Sequence, residues 1–195
     1  MIYRLAILLI VVCFCGRALA APPLSAESRR VQQAYEALQA QPGSKAARLQ
    51  YLQAFPASKA EFLRIFNSFD GSQLYETSFE HIGALKRVAG TYPHQVLRKC
   101  FAIGKSLRWD ADAVGDLQST TVQLGGIHPQ AFAAEARRLS APERLSLFCF
   151  LADAENHRAY PEYVALMKSL SQTGAADLAG SLQQAKERRQ RQRDH

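Results

Sequence analysis

Apolar residues recur along this chain at helical spacing. Val31, Tyr35 and Leu38 fall at i, i+4 and i+7; Phe62, Ile65, Phe66 and Phe69 fall at i, i+3, i+4 and i+7. Val114, Leu117, Thr121 and Leu124 follow at i, i+3, i+7 and i+10, and Phe132, Ala136 and Leu139, then Val164, Met167 and Leu170, keep the same period. Each set draws one apolar stripe along a helix, and no segment alternates apolar and polar positions long enough to make a strand. Start signals agree. Ser58 with Glu61, Thr77 with Glu80, and Ser140 with Glu143 have capping-box spacing, in which the hydroxyl accepts an orphan backbone N–H and the carboxylate reaches back. Pro93, Pro129 and Pro161 suit a first helical turn, where a missing N–H is no loss, and Asp110 can cap the helix that follows Trp109. Pro42-Gly43, Asp70-Gly71 and Gly125-Gly126 punctuate the intervals. The pattern predicts about ten helices, near 26–41, 45–55, 59–69, 78–91, 93–107, 111–124, 129–139, 141–156, 161–172 and 175–191.

Short helices joined by few residues pack mainly as antiparallel hairpins, which makes this an all-α chain with a single domain. Two segments are apolar on more than one face: Val96-Leu97-Cys100-Phe101-Ile103, and the run Leu145, Leu147, Phe148, Cys149, Phe150, Leu151. Such elements are sandwiched between neighbours, so these two are expected at the centre. Stacked hairpins give an irregular, α-solenoid-like array. No fixed internal period is present, which leaves a compact orthogonal bundle as the other architecture.

Composition narrows the class. Of 195 residues, 48% are hydrophobic and 21% charged, enough apolar surface to exclude disorder as the main state. Arg4 precedes an apolar run from Leu5 to Cys15, and Ala18-Leu19-Ala20 supplies the small-x-small pattern of a signal peptidase site. Residues 1–20 thus read as a leader cleaved after Ala20, sending the chain to the periplasm. A retained anchor would need about 20 apolar residues, and this run has eleven. Val12 and Phe14 are bulkier than the residue that precedes a lipidated cysteine, so neither Cys13 nor Cys15 fits lipid attachment. Removing Arg4 and Arg17 with the leader leaves 22 basic and 17 acidic residues. Much of that excess lies in residues 186–195, a basic tail after a helical domain over 21–185. A nucleic-acid module would carry the excess on its folded face, so no nucleic-acid partner is expected.

Candidate chemistry is mostly subtractive. Gly104-Lys105-Ser106 imitates the end of a phosphate loop, but Lys99 stands where its leading glycine belongs. Asp110, Asp112 and Asp116 suggest metal ligands, yet an EF-hand loop needs a glutamate where Thr121 stands; at a helix start these acids complement the dipole instead. His81, His94, His128 and His157 form no His-x-x-x-His pair, so no metal or other cofactor is expected. Cys100 and Cys149 remain after cleavage. An oxidising compartment permits their disulfide, worth roughly 4 kcal/mol for a loop of about 50 residues; the alternative is two buried free thiols. Glu76, Glu80, Glu135, Glu143, Glu155 and Glu162 are numerous enough that a carboxylate pair for sugar chemistry stays open, since its separation is a property of the fold. Trp109 with Phe62, Phe66, Phe69, Tyr75 and Phe79 could line a ligand slot; the plainer reading is core packing with Tyr75 at the rim. In the tail, cations favour the end of a helix dipole, and weak contact with anionic lipid is the alternative.

Three stretches, Phe55-Pro56-Ala57-Ser58-Lys59-Ala60-Glu61-Phe62, Asp70-Gly71-Ser72-Gln73-Leu74-Tyr75 and Gly104-Lys105-Ser106-Leu107-Arg108-Trp109-Asp110-Ala111-Asp112-Ala113-Val114, together resemble a group of exported, all-helical bacterial proteins. The resemblance implies a helical fold and an envelope location and assigns no activity. The expectation is therefore a non-enzymatic protein-binding module, an inhibitor or immunity factor, binding through exposed residues around Tyr75, Trp109, Asp110 and Asp112. The rivals are a cell-wall enzyme with an unidentified carboxylate pair and an envelope scaffold attached by its tail.

Overall fold

The structure, a computed structural model, describes residues 23–67, 74–108, 110, 112–153 and 160–193. The leader, Phe69, Asp70-Gly71, Trp109, Glu155 and His157 lie outside the described residues. Among those described, ten helices account for the regular structure: α1 (Ala26–Ala40), α2 (Lys45–Ala54), α3 (Lys59–Phe66), α4 (Ser78–Ala89), α5 (Pro93–Gly104), α6 (Ala113–Ile127), α7 (Pro129–Arg137), α8 (Ala141–Ala152), α9 (Pro161–Gln172) and α10 (Ala176–Arg193). The fold is all-α.

Serine opens four of them. Ser25, Ser44, Ser58 and Ser140 each accept a backbone N–H three residues on, at 3.0 to 3.4 Å. Only Ser140 completes the reciprocal box, with Glu143 accepting the Ser140 N–H at 3.1 Å. Glu61 takes the Ala57 N–H instead, at 2.7 Å. Thr77 makes no side-chain cap; its hydroxyl turns back to the Leu74 carbonyl, which a threonine following a tight turn can reach. Pro93, Pro129 and Pro161 each begin a helix, as their missing N–H predicts.

Packing follows an alternating rule over the first seven helices. Helix α2 lies against α4 and α4 against α6 in one row, while α3 lies against α5 and α5 against α7 in the other. That is the stacking of a hairpin array. The order then breaks: α9 packs on both α6 and α7, and α10 closes over α8 and α9. The molecule is a short array sealed at its C-terminal end by three helices, combining features of the two expected architectures.

The centre is shared differently from the pattern's expectation. Helix α5 does touch α3, α4, α6, α7 and α8, but its equal is α6, which packs on α4, α5, α7, α8 and α9. Helix α8 packs chiefly on α5, α6 and α10. The reason is size. Thr120, Thr121, Gln118 and Gly125 are buried beside Val114, Leu117, Val122 and Leu124, so α6 is enclosed on several faces by small and polar residues that a hydrophobicity count discounts. A Cβ at Gly125 would stand 2.5 Å from the Phe132 ring and 2.8 Å from Leu166, so this close approach requires glycine. Gln118 settles its buried amide by donating to the Phe150 carbonyl, and Thr121 donates to Leu117 within the helix.

Two aromatic clusters fill the core. Tyr51, Phe55, Phe62 and Phe66 gather under α1 to α4, and Phe101, Phe132 and Phe148 between α5, α7 and α8. Phe62 and Phe66 are thus packing residues, with Tyr75 half-buried at the rim, whereas Phe79 is 70% exposed. Helix α10 runs through Arg193, two residues past its expected end, Ala185 is buried, and Arg189 pairs with the buried carboxylate of Asp153.

Candidate functional site

The sequence-predicted residues meet in part. Tyr75, just before α4, donates its hydroxyl to Asp112 Oδ2 at 2.6 Å, joining the start of α4 to the start of α6. Asp112, not Asp110, is the N-cap of α6; its carboxylate makes no capping bond, and its Oδ2 accepts from Tyr75. Its backbone sits at φ 59°, a conformation an L residue adopts only at a cost of about 1–3 kcal/mol. One turn on, Asp116 is half-buried, and its carboxyl is held above the usual range by burial and then by the nearby charge of Asp112, with Lys86 opposing. Exposed Asp110 lies in a separate shallow cleft with Lys59, Asn67 and Arg108. Trp109, the fourth predicted residue, lies outside the described residues.

Cys100 and Cys149 are free thiols in this structure. Cys100 is fully enclosed on α5, and burial pushes its thiol up to about 12, so it behaves as a small apolar side chain. Cys149 is only partly buried, so of the two free thiols Cys100 alone has the enclosed setting expected of both. Among the described residues no group of three or more His, Cys, Asp or Glu side chains converges to hold a metal ion, and no helix is long and apolar enough to cross a membrane.

The most organised charged constellation is one the sequence reading did not single out. Glu135, near the end of α7, has only 4% of its side chain exposed. Its carboxylate accepts from Arg98 Nε at 2.9 Å and Nη2 at 3.1 Å, a fork-to-fork pair, and from His94 Nδ1 at 3.2 Å. Arg138 Nε stands 3.7 Å away on the same carboxylate. The Arg98 hydrogen bond holds Glu135 below the usual carboxylate range, against the opposing effect of burial, with His94 and Arg138 adding to it. In return the Arg98 guanidinium is raised. The three partners keep half or more of their side chains in water: 54% for Arg98, 51% for His94 and 66% for Arg138. A buried anion therefore carries a fixed cationic surface above it.

A cleft of about 200 Å³ opens beside this cluster, with Phe101, Ala102 and Leu139 lining it among Arg98, Lys105 and Arg138. Lys105 pairs with Glu143, whose carboxyl is drawn down to about 2 by that hydrogen bond and by the Ser140 cap. The signal was present in the sequence, since His94, Arg98, Ala102 and Lys105 share one face of α5. Nothing local pairs that face with Glu135, 37 residues beyond Arg98.

His81 is the other buried ionisable group of note. It is fully enclosed, with the tilted Tyr35 ring at 4.3 Å, Tyr51 stacked at 6.3 Å and Phe66 also tilted. Gln32 Oε1 accepts from Nε2 at 3.2 Å, so the neutral ring carries its proton there and leaves Nδ1 an unpaired acceptor among the described residues. Burial lowers the imidazole to about 4, with Glu80 opposing.

No protein family, curated protein or solved structure matches the chain.

Proposed function

We propose that this is an exported periplasmic helical protein that binds another protein and performs no chemistry of its own, acting as an inhibitor or immunity factor. One observation carries the reading: Glu135 fixes Arg98 and flanks Arg138 so that two half-exposed guanidinium groups stand over an apolar cleft. A carboxylate so paired is a poor general acid, because its proton is held off by its cations. Preorganised cations beside apolar surface are instead suited to recognition, since the ordering of the side chains has already been done by the fold. The stacked helices supply a rigid ridge that can occlude a partner's active site by shape.

The test uses the mature chain, Ala21 to His195, as an immobilised bait for envelope extract. A partner retained at one-to-one stoichiometry and reconstituted from purified components supports the reading. Absence of any stoichiometric partner, or turnover of wall material by the purified chain, overturns it.

A second reading is favoured by Asp112 and Asp116. They lie one helical turn apart at the start of α6, one engaged by Tyr75 and the other biased toward its protonated form, an unequal pair of the sort that acid–base hydrolysis uses. Release of soluble fragments from peptidoglycan, abolished in Asp116→Asn, would establish it. No release by the wild type would dismiss it.

A further inference from the structure

We infer that the groove along α5 and α7 receives an acidic segment of a protein partner, one that presents an apolar side chain beside its carboxylates. The inference rests on the protein-binding reading and specifies the partner's chemistry and its place on the fold.

Two clefts follow one another along this pair of helices. Helices α5 and α7 lie side by side in the same direction: Pro93 and His94 line a cleft with Pro129 and Ala131, while Lys105 lines the next cleft with Arg138 and Leu139. The His94–Glu135 hydrogen bond lies between the two clefts, which have volumes of about 390 and 200 Å³. Along α5, Pro93 to Lys105 spans about 18 Å at the helical rise, which matches about five or six residues of extended chain. A short linear segment is therefore the natural occupant by length.

Charge and apolarity choose its composition. The anion at the middle of the groove is buried, whereas the cations above it are more than half exposed, so the face offered to a ligand is positive. Glu135 uses the Nε and Nη2 atoms of Arg98 and leaves the Nη1 amino group without a partner among the described residues. Arginine presents planar donors that fit a carboxylate, which a lysine-lined face would not do as specifically. Between the cations Ala102 and Leu139 are partly exposed above the enclosed Phe101 ring, and at the far end Ile127 stands 66% exposed. A partner with acidic residues alone would leave that apolar strip uncovered. The clefts are shallow and open, which disfavours an acyl chain needing enclosure and favours a peptide backbone lying across them.

The probe is a short fluorescein-labelled peptide in which Glu and Leu alternate, with versions replacing Glu by Gln or Leu by Ala, titrated against the full mature chain. Binding that weakens with salt, drops about tenfold with either replacement, and shifts amide resonances along α5 and α7 supports the inference. Arg98→Gln with Arg138→Gln is expected to weaken the acidic peptide about tenfold. Arg138→Gln alone leaves both Arg98–Glu135 hydrogen bonds in place and is expected to weaken the peptide about threefold, guarding against a folding defect. Shifts confined to the Tyr75–Asp112 corner, equal affinity for the Gln version, or no peptide binding would overturn the inference. So would vesicles of phosphatidylglycerol that bind through Arg98 and Arg138 where the peptide does not. The envelope-extract bait separates the two levels. A stoichiometric partner captured equally by wild type and Arg138→Gln removes the groove and spares the binding module, while no partner for the wild type removes the module.

Discussion

His81 and Glu135 are both buried ionisable side chains, and the protein treats them in opposite ways. Under α1 to α4, the imidazole is kept neutral in a cage of Tyr35, Tyr51 and Phe66, with one hydrogen bond to Gln32. Between α5 and α7, the carboxylate is kept charged by Arg98, His94 and Arg138, whose other sides remain in water. Burying a charge is tolerable only when a partner supplies what water did, and a cation that straddles the surface can do so while keeping much of its own hydration. The N-terminal cage therefore turns inward and serves cohesion. The α5–α7 cluster turns its partners outward and makes a surface that can recognise something.

The largest effect that could break this contrast lies in acid. With His81 at about 4 in the fold and near 6.5 when unfolded, the unfolded chain binds more protons between those values. The stabilisation is complete above the unfolded value and is lost as pH falls through the folded one, about 3 kcal/mol by pH 4. Urea unfolding of the wild type and of His81→Phe across this range checks it: the variant's stability should be flatter in pH. An equal slope in both proteins would mean that the cage does not hold the imidazole neutral. Glu135 acts in a lower window, because its stabilisation is present above the ordinary carboxylate value and disappears as pH drops beneath it.

Glu135→Gln comes next. Removing the charge from a carboxylate that accepts a forked pair should cost about 2 kcal/mol, read from the urea midpoint at neutral pH. A double-mutant cycle with Arg98→Ala should show coupling of about 1 kcal/mol or more; none would mean that the pair is held by packing alone.

Tyr51→Phe sharpens the cage side. Its hydroxyl donates to the His81 carbonyl at 2.5 Å within the core, and its loss should cost about 1 kcal/mol. The smallest effect is expected where both partners meet solvent: Arg64→Ala severs the forked pair with Glu27 on the surface and should leave the melting temperature nearly unchanged. A large shift there would show that exposure is not what separates the pairs that matter.

Features with a local cause are legible in the sequence. The serine caps at Ser58 and Ser140, the prolines that begin α5, α7 and α9, and the stripes at Phe62, Ile65 and Phe66 all appear where spacing placed them. Thr77 was a reasonable cap on spacing, and failed because a nearby carbonyl competed for its hydroxyl. Asp112 was singled out as an acid near Tyr75 and Trp109, and its bond to Tyr75 arises only because α4 and α6 are neighbours. Glu135 appeared in the sequence as one glutamate among many. Its environment depends on α5 and α7 lying in register, which no period within either helix encodes.

By itself, the sequence determined an all-helical chain of about ten segments, where most of them begin, and most apolar faces, although on α9 Tyr163 and Leu166 are buried where Val164 is 52% exposed. Those properties depend on hydrogen bonds and side-chain spacing within a few residues. The tertiary structure decided that α6 shares the centre, that Gly125 yields to Phe132, and that one glutamate becomes a buried anchor for exposed arginines. These outcomes depend on contacts between residues far apart in the chain, where burial and charge are set by whichever helix packs alongside.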